Sequence, residues 1–351
     1  MSAYARLLAE LAVPRLVGSP GHAAVYQRLR EELAKRGYVN LEHEFPVHPP
    51  GALAGPATAG AVLAWVCLAL GLWRTLGVSG GLLILLVGLA GLGLAIALRA
   101  AHADSRTGMN IIAVRPRAQV AVWLVAHYDS KGQPMSMLGR LVGAGLAALG
   151  VPSAAALVVT AHPLVALVLV LPGIIGGLVL LQNRATNRSP GAVDNASALV
   201  TILATLDRLP PQTPIGVLFL DAEEYGMLGA RALVRDRANL IRGATVINLD
   251  GIDDRGPTRC FVHRPGPLTG AVAAALGARA TRALPVFVDG LVLAPATAEC
   301  VTIMRGDWRT AAIVHTRADR PERLTLGGSE LVAAGLARAL GERVDSTSGR
   351  P

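Results

Sequence analysis

The chain is poor in cysteine, aromatic residues and charge. Three cysteines occur in 351 residues, at positions 67, 260 and 300. They are widely spaced and odd in number, which excludes a disulfide framework and a CxxC zinc site. A single Cys260–Cys300 bridge is the pairing left open. Aromatics make up 4% and charged residues 16% of the chain. The net charge of +9 comes with no aromatic–basic interleaving and no DNA-binding motif, so nucleic acid is not expected as a partner. The N-terminus carries Arg6, Glu10 and Arg15 and has no apolar run of the kind found in a cleaved signal peptide.

What the chain has in excess is apolar residues, 52% of the total, with a mean hydropathy of +0.47. They gather in blocks. Residues 53–73 and 78–98 are each about twenty residues without a formal charge, enough to cross a ~30 Å hydrocarbon core. Trp73 and Arg74 stand at the turn between them. A second block covers 138–182, broken near its middle by Ala161-His162-Pro163, with Arg140 placed to snorkel at one end. These blocks predict about four transmembrane helices inserted as two hairpins, with membrane lipid as a partner. Arg99, Arg106, Arg115, Arg117, Arg140, Arg184 and Arg188 crowd one side against Arg74 on the other. By the positive-inside rule that predicts an integral protein of a bacterial plasma membrane with its catalytic domain in the cytoplasm.

Outside the blocks, strand and helix signals alternate. Residues 3–17 and 21–37 read as helices and 38–48 as extended. Strands are expected at 110–114, 121–126, 215–220, 244–249 and 310–314. Helices are expected from a cap at Asp194 or Asn195 to Leu209, and at 229–238, 267–281 and 328–344. That alternation predicts an α/β fold, a three-layer sandwich around a mostly parallel central sheet. The apolar hairpins, 51–99 and 138–182, divide it into segments 1–50, 100–137 and 183–351.

The stretch that organises the chain is Ile215–Ala230. Six mostly apolar residues suit a strand buried on both faces, and Asp221, Glu223 and Glu224 follow at once. Adjacent carboxylates need a cation, a proton or open water to offset their repulsion. A solvated acidic loop would satisfy that as well. However, His127, the Glu223/Glu224 pair, Asp250 and His315 each follow an expected strand, and Asp194 opens an expected helix. Ligands of α/β sheets gather at the strand carboxyl ends, and imidazole with carboxylate suits zinc. Five candidate ligands, one able to bridge, point to two metals.

The segments His127-Tyr128-Asp129-Ser130, Gly191-Ala192-Val193-Asp194-Asn195-Ala196-Ser197, Glu223-Glu224-Tyr225-Gly226-Met227-Leu228-Gly229, Asn248-Leu249-Asp250 and His315-Thr316-Arg317-Ala318-Asp319 resemble the M28 family of zinc aminopeptidases. The resemblance covers the segments outside the apolar blocks. It implies a zinc-exopeptidase-like fold and two Zn²⁺ per chain, with His127 and Asp250 on one ion, Glu224 and His315 on the other, and Asp194 bridging. Glu223 would be the general base and Asp129 would orient His127. The implied reaction is release of N-terminal residues from peptides. Two other readings share the fold: a non-catalytic membrane binding or assembly protein, and a single-zinc acyltransferase of the glutaminyl-cyclase type. Ala198 departs from the glycine common at that position of the family and leaves the ligand before it intact.

Overall fold

The computed structural model describes residues 2–48, 106–116, 119–156, 163–181, 185–282 and 286–348, with isolated helical positions between 62 and 89. The chain forms two compact units. The first comprises Met1–Val47, Arg106–Gly132 and Thr186–Pro351, and the second His48–Ser105 and Gln133–Ala185.

The first unit is built on a sheet of β1 (Val39–Val47), β2 (Arg106–Val114), β3 (Val122–His127), β4 (Ile215–Leu220), β5 (Thr245–Ile252), β6 (Thr258–Arg264), β7 (Arg279–Thr281) and β8 (Glu299–Arg305). Their order is β1-β2-β4-β3-β5-β8-β6-β7. The sheet is mixed. Strands β4, β3, β5 and β8 run parallel at its centre. Antiparallel pairings join β1 to β2, β2 to β4 and β6 to β8. In chain order the helices are α1 (Ala3–Leu11), α2 (Pro20–Lys35), α3 (Met137–Ala156), α4 (Pro163–Leu181), α5 (Ser197–Leu206), α6 (Leu228–Ile241), α7 (Pro267–Ala275), α8 (Asp289–Leu293), α9 (Trp308–Ile313) and α10 (Gly327–Ser348).

Strand alternation sends β3 into two cores. Val122, Leu124 and Ala126 pack with residues of α1, α5, α7 and α10 on one face. Trp123 and Val125 pack with residues of α6 and α8 on the other. Helices therefore cover both faces, and every residue of β3 and of β4 is buried. Apolar runs of this kind mark strands with two covered faces.

Several expected elements differ. The strand expected at 310–314 is helix α9. Asp307 caps it, accepting from the backbone N–H groups of Arg309 and Thr310, while Thr310 returns a bond to the Asp307 backbone. This reciprocal cap outweighs the strand preference of the run that follows. The helix expected over 267–281 ends at Ala275, and the chain then forms β7. Cys260 and Cys300 are free thiols. They point into opposite cores, so the sheet itself separates them.

In the second unit α3 and α4 pack antiparallel through small residues. A Cβ added at Gly150 would lie 2.3 Å from the Gly173 Cα, and one at Gly176 would lie 2.3 Å from the Ala147 amide nitrogen. The expectation of four membrane-spanning helices is corrected here. Among the described residues no helix is long and apolar enough to cross a membrane. The first expected hairpin, 51–99, lies outside the described residues apart from isolated positions. The integral-membrane location and the cytoplasmic orientation fall with the spans they rested on.

Candidate metal centre

Parallel pairing brings the ends of β3, β4 and β5 to one edge of the sheet. His127 closes β3, the Asp221–Tyr225 turn follows β4, and Asp250 stands near the end of β5. Asp194 lies in the turn Ala192–Ala196 that leads into α5, where the backbone leaves helical geometry (φ −113°, ψ 86°). His315 follows α9 with φ 67°.

These residues meet. His127 Nε2 is 3.2 Å from Asp194 Oδ1 and 3.7 Å from Asp250 Oδ1. On the other side, His315 Nε2 is 3.0 Å from Asp194 Oδ2 and 3.4 Å from Glu224 Oε2. The two oxygens of Asp194 thus each face a different imidazole. Two overlapping triads result, His127–Asp194–Asp250 and Asp194–Glu224–His315, each with donor atoms within 4.8 Å of one another. All five residues are buried.

The local sequence fixes each group. Asp319 accepts from the Val193 and Asp194 amides at 2.8 and 3.2 Å. Asn195 reaches β5 twice, donating to the Leu249 carbonyl and accepting from the Gly251 amide, both at 3.0 Å. Asp129 accepts from the Glu223 and Glu224 amides at 3.1 and 3.2 Å, and its Oδ1 lies 3.4 Å from His127 Nδ1. The acidic turn itself is tight. Ala222 and Met227 hold positive φ on either side of it, as does Gly226. Non-glycine residues there are uncommon and are often found at functional sites.

Electrostatics show what the cluster lacks. Burial acts to lower the His127 pKa, yet Asp129, Asp194 and Asp250 hold it well above the histidine range. Burial, with the charges of Glu224, Asp289 and Asp250, lifts Glu223 well above the glutamate range against the pull of His127. Burial raises Glu224 too, but Lys131 and His315 bring it down to about 2. Asp289, buried with neither oxygen hydrogen-bonded among the described residues, is pushed up to about 8 by burial and by Asp250, Asp129 and Glu224, with His127 opposing. A cluster that draws protons onto its imidazoles is short of positive charge. Its donors, two imidazoles and a set of carboxylates, are those zinc takes. The site fits the metal.

Glu223 stands apart from its neighbour. It is the more exposed of the pair, and its carboxylate makes no hydrogen bond or ion pair among the described residues.

Some residues were not singled out by spacing. The buried Arg15 donates to the carbonyls of Tyr128 at 2.6 Å, Gly191 at 3.0 Å and Pro190, and so joins two loops of the site. Lys131 pairs with Glu224. A buried cation next to a proline and an acid cluster downstream of a strand were the only available signals. Asp221, first of the acidic run, is structural: it pairs with His22 at 2.8 Å and accepts from the Met109 amide. His263 bonds Thr302, while Asp253 meets Thr310 and Arg323.

The family model for "Peptidase family M28" matches residues 110–337. A search of curated proteins finds no match. Among solved structures, a Zn-dependent exopeptidase from Parabacteroides distasonis is similar at 16% identity and TM-score 0.57, covering 97% of each chain. A glutaminyl cyclase from Porphyromonas gingivalis is similar to the same degree, again over 97% of each chain. A zinc aminopeptidase from Bacillus subtilis is 13% identical with TM-score 0.54, covering 96% of this chain and 94% of that one. At these identities the likeness is one of fold.

Proposed function

We propose that this chain, which belongs to peptidase family M28, is a zinc-dependent aminopeptidase that removes N-terminal residues from peptides at a two-ion centre. The observation that carries the reading is Asp194, whose two oxygens face His127 and His315 separately. A carboxylate so placed would serve both ions. His127 and Asp250 would hold one ion, and Glu224 and His315 the other. Zinc, when bound, supplies a lowered pKa for the attacking water and polarisation of the scissile carbonyl.

The chain's own groups supply the proton path. Glu223, whose carboxylate has no hydrogen bond or ion pair among the described residues, accepts a proton as the water oxygen attacks the carbonyl carbon. It delivers that proton to the amine nitrogen as the C–N bond breaks. Asp129 positions this base through the Glu223 amide and also faces the His127 ring. The fold alone is compatible with a glutaminyl cyclase, which would release ammonia from an N-terminal glutaminyl peptide instead.

The test is zinc analysis of the purified protein with a panel of aminoacyl reporters and a glutaminyl peptide, with and without chelator. Chelator-sensitive release of N-terminal residues is expected. Glu223→Gln should retain zinc and lose turnover by about 10²- to 10⁴-fold. Wild-type turnover in that variant would remove Glu223 as the base. Ammonia release without aminopeptidase activity would transfer the reading to the cyclase class.

A further inference from the structure

Resting on the two-ion reading, we propose that Lys131 makes the two positions unequal: its ammonium holds Glu224 and weakens the Asp194–Glu224–His315 position, so that the His127–Asp194–Asp250 position keeps its ion tightly and the other exchanges it.

The geometry is specific. Lys131 Nζ lies 2.7 Å from Glu224 Oε2, the same oxygen that faces His315 Nε2 at 3.4 Å. The Lys131 amide donates to the other oxygen, Oε1, at 3.1 Å, and Nζ also donates to the Glu224 carbonyl at 3.2 Å. Both carboxylate oxygens of one candidate ligand are therefore engaged from Lys131. An ion entering that triad must share Oε2 with an ammonium or displace it, and in either case it works against a neighbouring positive charge. The Lys131 side chain is only 12% exposed, so water screens that repulsion poorly. The opposite triad differs. Among the described residues no lysine or arginine forms an ion pair with Asp250 or Asp194.

Residue choice supports the assignment. The chain holds 33 lysines and arginines, and only two, Lys35 and Lys131, are lysine. Where it places basic charge elsewhere it uses the broad guanidinium almost without exception. At the centre it uses a compact ammonium, a point charge on a flexible stem. Such a group can sit at a single carboxylate oxygen and swing away when an ion arrives. Lys131 is thus a positioning residue that acts through Glu224.

The experiment is a zinc titration of metal-free, full-length protein. Occupancy is read by equilibrium dialysis with elemental analysis, and folding by circular dichroism. Wild type is expected to load two ions in steps separated by about tenfold or more in zinc concentration. Lys131→Met should move the weaker step to at least about tenfold lower zinc and leave the tighter step in place. Lys131→Arg, which keeps the charge, should keep the steps apart. Two equal steps in wild type would overturn the inference and leave the two-ion reading standing, as would an unmoved weak step in folded Lys131→Met. One ion at saturation in all three proteins would overturn the two-ion reading and this inference with it.

Discussion

The two compact units hold themselves together in different ways. In the first, directional polar contacts fix a few groups to within ångströms. Asp319, Asn195 and Asp129 pin loops through backbone amides and carbonyls. In the second, α3 and α4 meet through glycine and alanine, with Gly150 against Gly173. There contact is set by the absence of side chains. A polar centre fails when one atom is wrong, and a small-residue seam fails when one is added. The difference teaches where each unit tolerates change.

The largest effect expected is at the bridge. Asp194→Ala leaves neither triad complete, so bound zinc should fall to background by elemental analysis. Activity should fall by more than the about 10²- to 10⁴-fold expected for Glu223→Gln. Retention of both ions would break the comparison at its polar end. Next is the seam. Gly150→Leu places atoms where the Gly173 backbone already sits, and overpacking costs about 1–3 kcal/mol. Thermal unfolding should show that loss while zinc content per folded chain stays unchanged. A drop in zinc content would deny that the two units fail separately.

The smallest effect lies away from the centre. Burial pushes the Glu32 carboxyl up, but Arg36, Lys35 and Arg28 overcome it and hold it below the usual glutamate range. A carboxyl depressed in the folded state stabilises fully above its unfolded pKa, and that stability is lost as pH falls through the folded one. Glu32→Gln should therefore cost about 1–2 kcal/mol at pH 7. The gap from wild type should close on acidification below about pH 4. A gap that widened toward acid would reverse the sign of this argument.

Much of the first unit was legible in the sequence for a physical reason. Strands β3 and β4 are apolar runs ending abruptly in His127 and in the acidic turn, and such breaks survive folding unchanged. Elsewhere local preference misled. The run before His315 is rich in β-branched and small residues and reads as strand, yet the Asp307–Thr310 cap makes it a helix. His315 still reaches Asp194 because the chain leaves α9 through a left-handed residue. The expectation of membrane spans rested on composition alone, and among the described residues no helix is long and apolar enough to cross a membrane. Arg15, Lys131 and Asp289 were invisible for another reason: the site loops that Arg15 and Lys131 hold lie 93 to 176 residues away in sequence, Asp289 makes no side-chain hydrogen bond among the described residues, and no spacing encodes either.

The turn bearing Asp194 is gripped from both extremes of the chain, by Arg15 at the Gly191 carbonyl and by Asp319 at the Val193 and Asp194 amides. A fragment that lacks either segment would hold this turn from one side only, so the geometry around Asp194 belongs to the assembled sheet rather than to any one stretch of sequence.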